Sequence, residues 1–164
     1  MKIVTVLERV SLNLTACMAD DQPGIRKRVC LTLASLIDID ACDEAANGLE
    51  AVEKVKESVP DLVILDVTMP LMNGLDAARR IHAFTPNTPI LILTMHKSRQ
   101  LMEEAQKIGV QGYVVKGEAG QNLASAESFR EALFTAIHIV KHRRETEVLT
   151  ENPLVIAKLS RDRD

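Results

Sequence analysis

Aromatic residues are nearly missing from this sequence: 164 residues hold no Trp, one Tyr and three Phe. Its core must therefore be aliphatic, and Tyr113 stands apart as the sole phenol. Cysteine is scarce too. Cys17, Cys30 and Cys42 are odd in number and form no C-x-x-C, which speaks against a disulfide framework or a thiolate metal centre. They read as reduced thiols in core or surface positions of a cytoplasmic protein. No apolar run approaches the ~20 residues of a membrane-spanning helix. The opening MKIVTVLERV lacks the long apolar segment and small-residue cleavage site of a signal peptide. Neither sign of charge dominates: 20 basic against 23 acidic side chains leave a net charge of −3, without the basic footprint of a nucleic-acid binder. Internal repeats and low-complexity segments are absent.

What is present is a globular composition, 46% hydrophobic and 26% charged, in a chain of a length that suits one domain. Short apolar runs alternate with helical patterns. Residues 14–18 read as a strand ending in Asp20-Asp21, and Pro23 then opens a helix with Val29, Leu33, Leu36 and Ile37 at helical spacing. Residues 39–44 form a weaker second strand. Asn47-Gly48 turns into a helix carrying Val52, Val55 and Val59, closed by Pro60. Residues 62–65 are the third strand. Gly74 opens a helix with Leu75, Ala78 and Ile81, bounded by Pro86 and Pro89. Residues 90–94 are the fourth strand, 98–108 the next helix, stopped by Gly109, and 112–115 the fifth strand. A last helix spans about 125–144, with Phe129, Leu133, Ile137 and Val140 on one face.

Five alternations of strand and helix predict an α/β fold: a parallel sheet with helices on both faces, whose strands are near-continuous Val/Ile/Leu runs. Such sheets bind ligands beyond the C-terminal ends of their strands. There this sequence places Asp20 and Asp21 after strand one, Asp66 after strand three, Thr94 at the end of strand four and Lys116 after strand five, just past Tyr113. Converging carboxylates repel unless a proton or cation intervenes. An all-oxygen set favours a hard ion such as Mg²⁺, which commonly takes one or two carboxylates plus phosphate oxygens and water. Lys116 adds a positive charge for an anion, and Thr94 an adjustable donor. Together they suit phosphoryl chemistry, with Asp66 as a nucleophile able to form an acyl phosphate. Each residue alone has an ordinary reading: Asp20-Asp21 as a helix cap, Thr94 as a turn residue, Lys116 as a solvated charge, Asp66 as a structural turn. The joint placement favours the site.

The stretches ADDQ (19–22), ILDVTMPLMNGLDAARRI (64–81), ILILTMH (90–96) and GVQGYVVK (109–116), in this order, resemble the receiver domains of two-component response regulators, the CheY-like family. The likeness covers roughly residues 12–140. Thr94-Met95-His96 and GYVVK are most similar to receivers that precede a LuxR-type DNA-binding helix-turn-helix. The resemblance implies a flavodoxin-like, doubly wound, five-stranded parallel sheet of order 2-1-3-4-5 with five helices. It implies Asp66 as phosphoacceptor from the phosphohistidine of a sensor kinase or phosphotransfer protein. Asp21 is then a direct Mg²⁺ ligand beside Asp66, Asp20 holds the ion through water, and the Thr68 carbonyl is a further ligand. Lys116 and Thr94 bind the phosphoryl group, Tyr113 turns inward behind it, and the surface of the fourth helix, fifth strand and fifth helix changes for an output partner. Dimerisation through that surface is a further expectation. The side chains of Thr68 and His96 flank the phosphoryl group and tune its lifetime. Direct contact of this chain with nucleic acid or membrane is not expected.

Three segments depart from the family pattern. Residues 1–11 form an N-terminal extension to a receiver of 12–144. Residues 117–128 are longer than the usual link to the last helix, and Gly117 follows the Lys. The tail, 145–164, is too short for a helix-turn-helix, although RETEVL (144–149) loosely resembles the opening of one; a polar tail or helical extension is the simpler reading. His138 and His142, one helical turn apart, read as a solvated basic face with Lys141, Arg143 and Arg144. Two functions remain open: a stand-alone receiver acting by protein contact, or the receiver of a transcriptional regulator whose DNA-binding half lies outside this chain. A haloacid-dehalogenase-type hydrolase would want a second Asp two residues after the nucleophile, where this sequence has Thr68. A receiver-like domain that is never phosphorylated would not need the complete acid, Thr and Lys set.

Overall fold

The computed structural model describes residues 13–95, 97–116 and 127–151. The expectations for residues 1–11, for His96, for most of the 117–128 segment and for the tail beyond 151 lie outside the described residues. The elements alternate as β1 (Leu14–Ala19), α1 (Pro23–Leu36), β2 (Ile39–Ala45), α2 (Gly48–Ser58), β3 (Leu62–Leu65), α3 (Gly74–Phe84), β4 (Ile90–Thr94), α4 (Arg99–Ile108), β5 (Gly112–Val115) and α5 (Glu127–Glu151). All strand pairs are parallel, in the order β2-β1-β3-β4-β5. The α/β fold, its strand order and its five helices are as the sequence and the resemblance implied.

Because successive strand side chains point to opposite faces, β3 feeds two cores at once. Leu62 and Ile64 join Met18, Leu91, Leu93, Val114, Val29 and Leu33 of α1, and Phe129 and Leu133 of α5. Val63 and Leu65 face the other way, with Ile92, Val52 and Val55 of α2, Leu75 and Ile81 of α3, and Ala105 of α4. Both layers are overwhelmingly aliphatic, and Phe129 is the one aromatic among the largest fully buried side chains. The helices start where local chemistry can satisfy their free N–H groups. Asn47 accepts from the Glu50 N–H at 2.9 Å, Asn73 from the Asp76 N–H at 2.9 Å, and Ser98 from the Leu101 N–H at 3.4 Å. At α1, Gln22 provides no side-chain cap and Pro23 sits in the first turn, where its missing N–H costs nothing.

One expectation is sharpened and one corrected. The last helix runs past Arg144 to Glu151, the helical extension rather than the polar tail of the two readings of this segment: RETEVL contains no Gly or Pro to end it. Cys30 and Cys42 are not separate thiols. They are joined by a disulfide between α1 and β2, with Cα atoms 5.9 Å apart, inside the range that the bond requires. Cys17 alone is free, and burial pushes its thiol up to about 12.

Candidate functional site

Parallel strands bring their C-terminal ends to one edge, and backbone pairing continues one residue beyond them. Ala19 pairs with Leu65. The Asp66 N–H then donates to the Ala19 carbonyl at 2.9 Å, and the Asp20 N–H to the Ala45 carbonyl at 3.1 Å. This extension sets Asp20 and Asp66 side by side. Ligand oxygens of Asp20, Asp21 and Asp66 lie within 4.8 Å of one another, the one such group among the described residues. Asp20 and Asp66 are buried whereas Asp21 is exposed, so the cluster opens to solvent on one side.

Lys116 is the cation of the pocket. Its ammonium contacts the Asp20 carboxylate and lies 3.5 Å from the Asp66 carboxylate. The other Asp20 oxygen accepts from the Gln22 N–H at 2.9 Å, so the helix-entry role and the pocket role of this residue coexist. Arg26, on the first turns of α1, donates to the Asp20 carbonyl at 2.7 Å and holds that loop. Burial pushes the Asp66 carboxyl above the usual carboxylate range; Lys116 opposes that shift and the Asp20 charge adds to it. One ammonium shared between two buried carboxylates leaves the pocket with excess negative charge, which a divalent cation with oxygen preference would offset. The donor set therefore fits Mg²⁺.

Thr94 is fully buried at the end of β4, and Tyr113, half-buried in β5, packs against the α2–α3–α4 core. Burial and the Asp66 charge together raise the Tyr113 phenol, so the phenol senses the pocket electrostatically. Thr68 is exposed in the loop after Asp66. That loop is tightly shaped. The Gly74 N–H donates to the Val67 carbonyl at 2.9 Å, and a Cβ at Gly74 would sit 1.9 Å from the Asp66 carbonyl oxygen, so only glycine fits. Leu71 holds φ +68° and is largely exposed, and the Met72 N–H reaches the Pro70 carbonyl at 2.8 Å, a strained γ-turn of the kind found at functional loops.

The response regulator receiver domain family matches residues 16–127. The chain belongs to this family. As a receiver it is 32% identical to a transcriptional regulatory protein of Bacillus subtilis, YhcZ, over 82% of this chain and 72% of that protein. It is 34% identical to the transcriptional regulatory protein LnrK of the same organism, over 66% of this chain and 50% of that protein; the receiver thus spans half the length of the second relative. Among solved structures it resembles the chemotaxis protein CheY4 of Vibrio cholerae (29% identity, TM-score 0.61, covering 77% of this chain and 98% of that one). It also resembles a LuxR-family DNA-binding response regulator of Staphylococcus aureus (28% identity, TM-score 0.64, covering 78% and 98%). The protein is a receiver domain of two-component response regulators. No helix among the described residues is long and apolar enough to cross a membrane.

Of the residues singled out from sequence, Asp20, Asp21, Asp66 and Lys116 meet in one pocket, with Thr94 and Tyr113 on the neighbouring strands. His138 and His142 instead line a surface cavity of about 690 Å³ with Asn87, Gln111 and Arg143, apart from the acid pocket. Sequence reasoning missed Asp61, a buried carboxylate at the opposite end of β3. The symmetric bracket Asp-Leu-Val-Ile-Leu-Asp was the available signal for it.

Proposed function

We propose that this receiver accepts a phosphoryl group on Asp66 from the phosphohistidine of a sensor kinase or phosphotransfer protein. The observation that carries the reading is the acid cluster with Lys116 3.5 Å from the Asp66 carboxylate. An Asp66 oxygen attacks phosphorus, the P–O bond forms as the P–N bond to the donor imidazole breaks, and the imidazole leaves with the electron pair and takes a proton. Asp20, Asp21 and Asp66, with the Thr68 carbonyl, would hold Mg²⁺, Asp20 through water. The ion supplies charge neutralisation for the phosphoryl oxygens. Lys116 exchanges part of its contact with Asp20 for the new phosphoryl oxygens, and Thr94 donates to them.

A dianionic group at the edge of β3 changes what the ends of β4 and β5 face. Tyr113, already sensitive to the charge on Asp66, turns toward the space behind Thr94, and the α4-β5-α5 surface is altered for a partner or for a second copy of this chain. Thr68 and His96 set how readily water reaches the acyl phosphate. The receiver catalyses only its own phosphorylation and dephosphorylation, in the cytoplasm, without direct contact with nucleic acid or membrane.

A second reading concerns the output. Two relatives are transcriptional regulators, and α5 runs unbroken through RETEVL to Glu151. Both favour a receiver whose signal passes through α5 to a DNA-binding segment.

Incubation with acetyl phosphate and Mg²⁺, followed by intact-mass measurement, tests the phosphoacceptor claim. The protein should gain the mass of one phosphate, and Asp66→Asn should gain none. A wild-type protein that gains nothing from acetyl phosphate or phosphoramidate would overturn it.

A further inference from the structure

The disulfide sits at a corner of the fold that burial alone secures poorly. Among the described residues β2 is an edge strand, hydrogen-bonded to β1 alone, and four of its seven residues, Asp40, Ala41, Asp43 and Glu44, are exposed. On α1 only Val29 and Leu33 are buried. Between them run two cross-links. Arg26 and Cys30 are four residues apart and share one face of α1; Cys42 and Glu44 are two apart and share one face of β2. Arg26 pairs with Glu44 at 3.3 Å, and Cys30 is bonded to Cys42. Both sulfur-bearing residues are half-buried, whereas Cys17 is fully buried. The same Arg26 also holds the Asp20 carbonyl at 2.7 Å, so the covalent rung lies one helical turn from the residue that holds the loop carrying the acid pair.

We propose that Cys30 and Cys42 are a reversible redox site, a disulfide staple opened and closed by exchange with a dithiol, which fixes α1 and the Asp20–Asp21 loop against the edge strand. In the opening step a thiolate of the dithiol attacks one of the two sulfurs, breaking the Cys30–Cys42 bond and forming a mixed disulfide. The second dithiol sulfur then displaces the protein sulfur. The dithiol ends as a disulfide, having lost two electrons and two protons, and Cys30 and Cys42 end as thiols. Closing is the reverse, with a disulfide, such as an oxidised dithiol or oxidised glutathione, accepting the two electrons and two protons. Reduced, the corner keeps its apolar packing but, of the two cross-links, only the Arg26–Glu44 pair, an ion pair with a half-exposed carboxylate that holds far less firmly.

The test uses the full chain without Mg²⁺ or phosphodonor, so it fails or succeeds apart from the proposed function. After oxidation with oxidised glutathione, alkylation in denaturant and intact-mass analysis should count one thiol, Cys17, and three after treatment with dithiothreitol. Reduction should lower the melting temperature by roughly 5–10 °C and speed amide exchange across β2 and residues 20–30. A Cys30→Ser, Cys42→Ser double variant should melt with the reduced protein and ignore dithiothreitol. Three alkylated thiols in the oxidised protein, or a double variant that melts with the oxidised wild type, would overturn the proposal.

Discussion

β3 carries a carboxylate at each end, and the two fare very differently. Asp61 and Asp66 are similarly buried, 7% and 6% exposed, so burial does not distinguish them. Their partners do. Asp61 accepts from the Thr15 N–H at 3.0 Å and the Thr15 hydroxyl at 3.3 Å. It also accepts from Arg143 at 3.2 Å and Arg144 at 2.7 Å, both on α5. Asp66 has the Val67 N–H and a share of one ammonium, and faces a second buried carboxylate. A charge that the protein itself satisfies is architecture. A charge left short of partners, beside a like charge, is a place built for something the chain does not contain. The two ends differ because parallel strands gather their C-terminal loops at one edge, while at the other edge the far end of α5 supplies guanidinium groups.

The largest effect should come from breaking the satisfied end. Asp61→Ala removes the buried carboxylate on which Arg143, Arg144 and the Thr15 N–H converge, which should destabilise the fold by about 2–3 kcal/mol. The figure sits below that for a fully buried pair because the arginine side chains remain 25% and 29% exposed. Thermal or urea unfolding measures it, and phosphorylation of the folded fraction should be unaffected. Arg144→Met should cost less, about 1 kcal/mol, because Arg143 and Thr15 still hold the carboxylate; loss equal to that of Asp61→Ala would show that Arg144 carries the whole clamp.

The smallest effect should have the opposite sign. Burial and Asp20 raise the Asp66 carboxyl, so the folded protein retains a proton that the unfolded chain releases. Its stability therefore falls as pH rises from the ordinary Asp value through the raised one, and above that window ionised Asp66 is a net cost. In metal-free protein at neutral pH, Asp66→Asn should melt slightly higher than wild type, and the gap should close as pH falls toward the ordinary Asp range. Mg²⁺ should raise the melting temperature of wild type more than that of Asp66→Asn. An Asp66→Asn protein that melts below metal-free wild type at neutral pH would place Asp66 with Asp61 as a structural carboxylate.

The pocket edge was legible in the sequence because each ligand follows its own strand directly: Asp20, Asp21, Asp66 and Lys116 need only a parallel sheet to converge. Asp61 was not, since its arginine partners stand 82 and 83 residues away and nothing local marks them. Cys30 and Cys42 escaped for a related reason. Their meeting depends on how far α1 is rotated over β2, which hydrophobic spacing does not determine when α1 buries so few residues. The sequence left open whether α5 continued past Arg144, because the amphipathic pattern stops at Val140 while helix-forming residues continue. The structure brings Lys116 to the pocket edge, and its contact with Asp20 as well as its approach to Asp66 required the geometry.

The difference between the two ends of β3 can be read most directly by locating the acyl phosphate. After acetyl phosphate and Mg²⁺, borohydride reduces an aspartyl phosphate to homoserine, and peptide mass analysis finds the altered residue. Conversion at Asp66, with Asp61 unchanged, is the predicted result. Conversion at any other carboxylate while Asp66 stays intact, or none at all, would contradict the account.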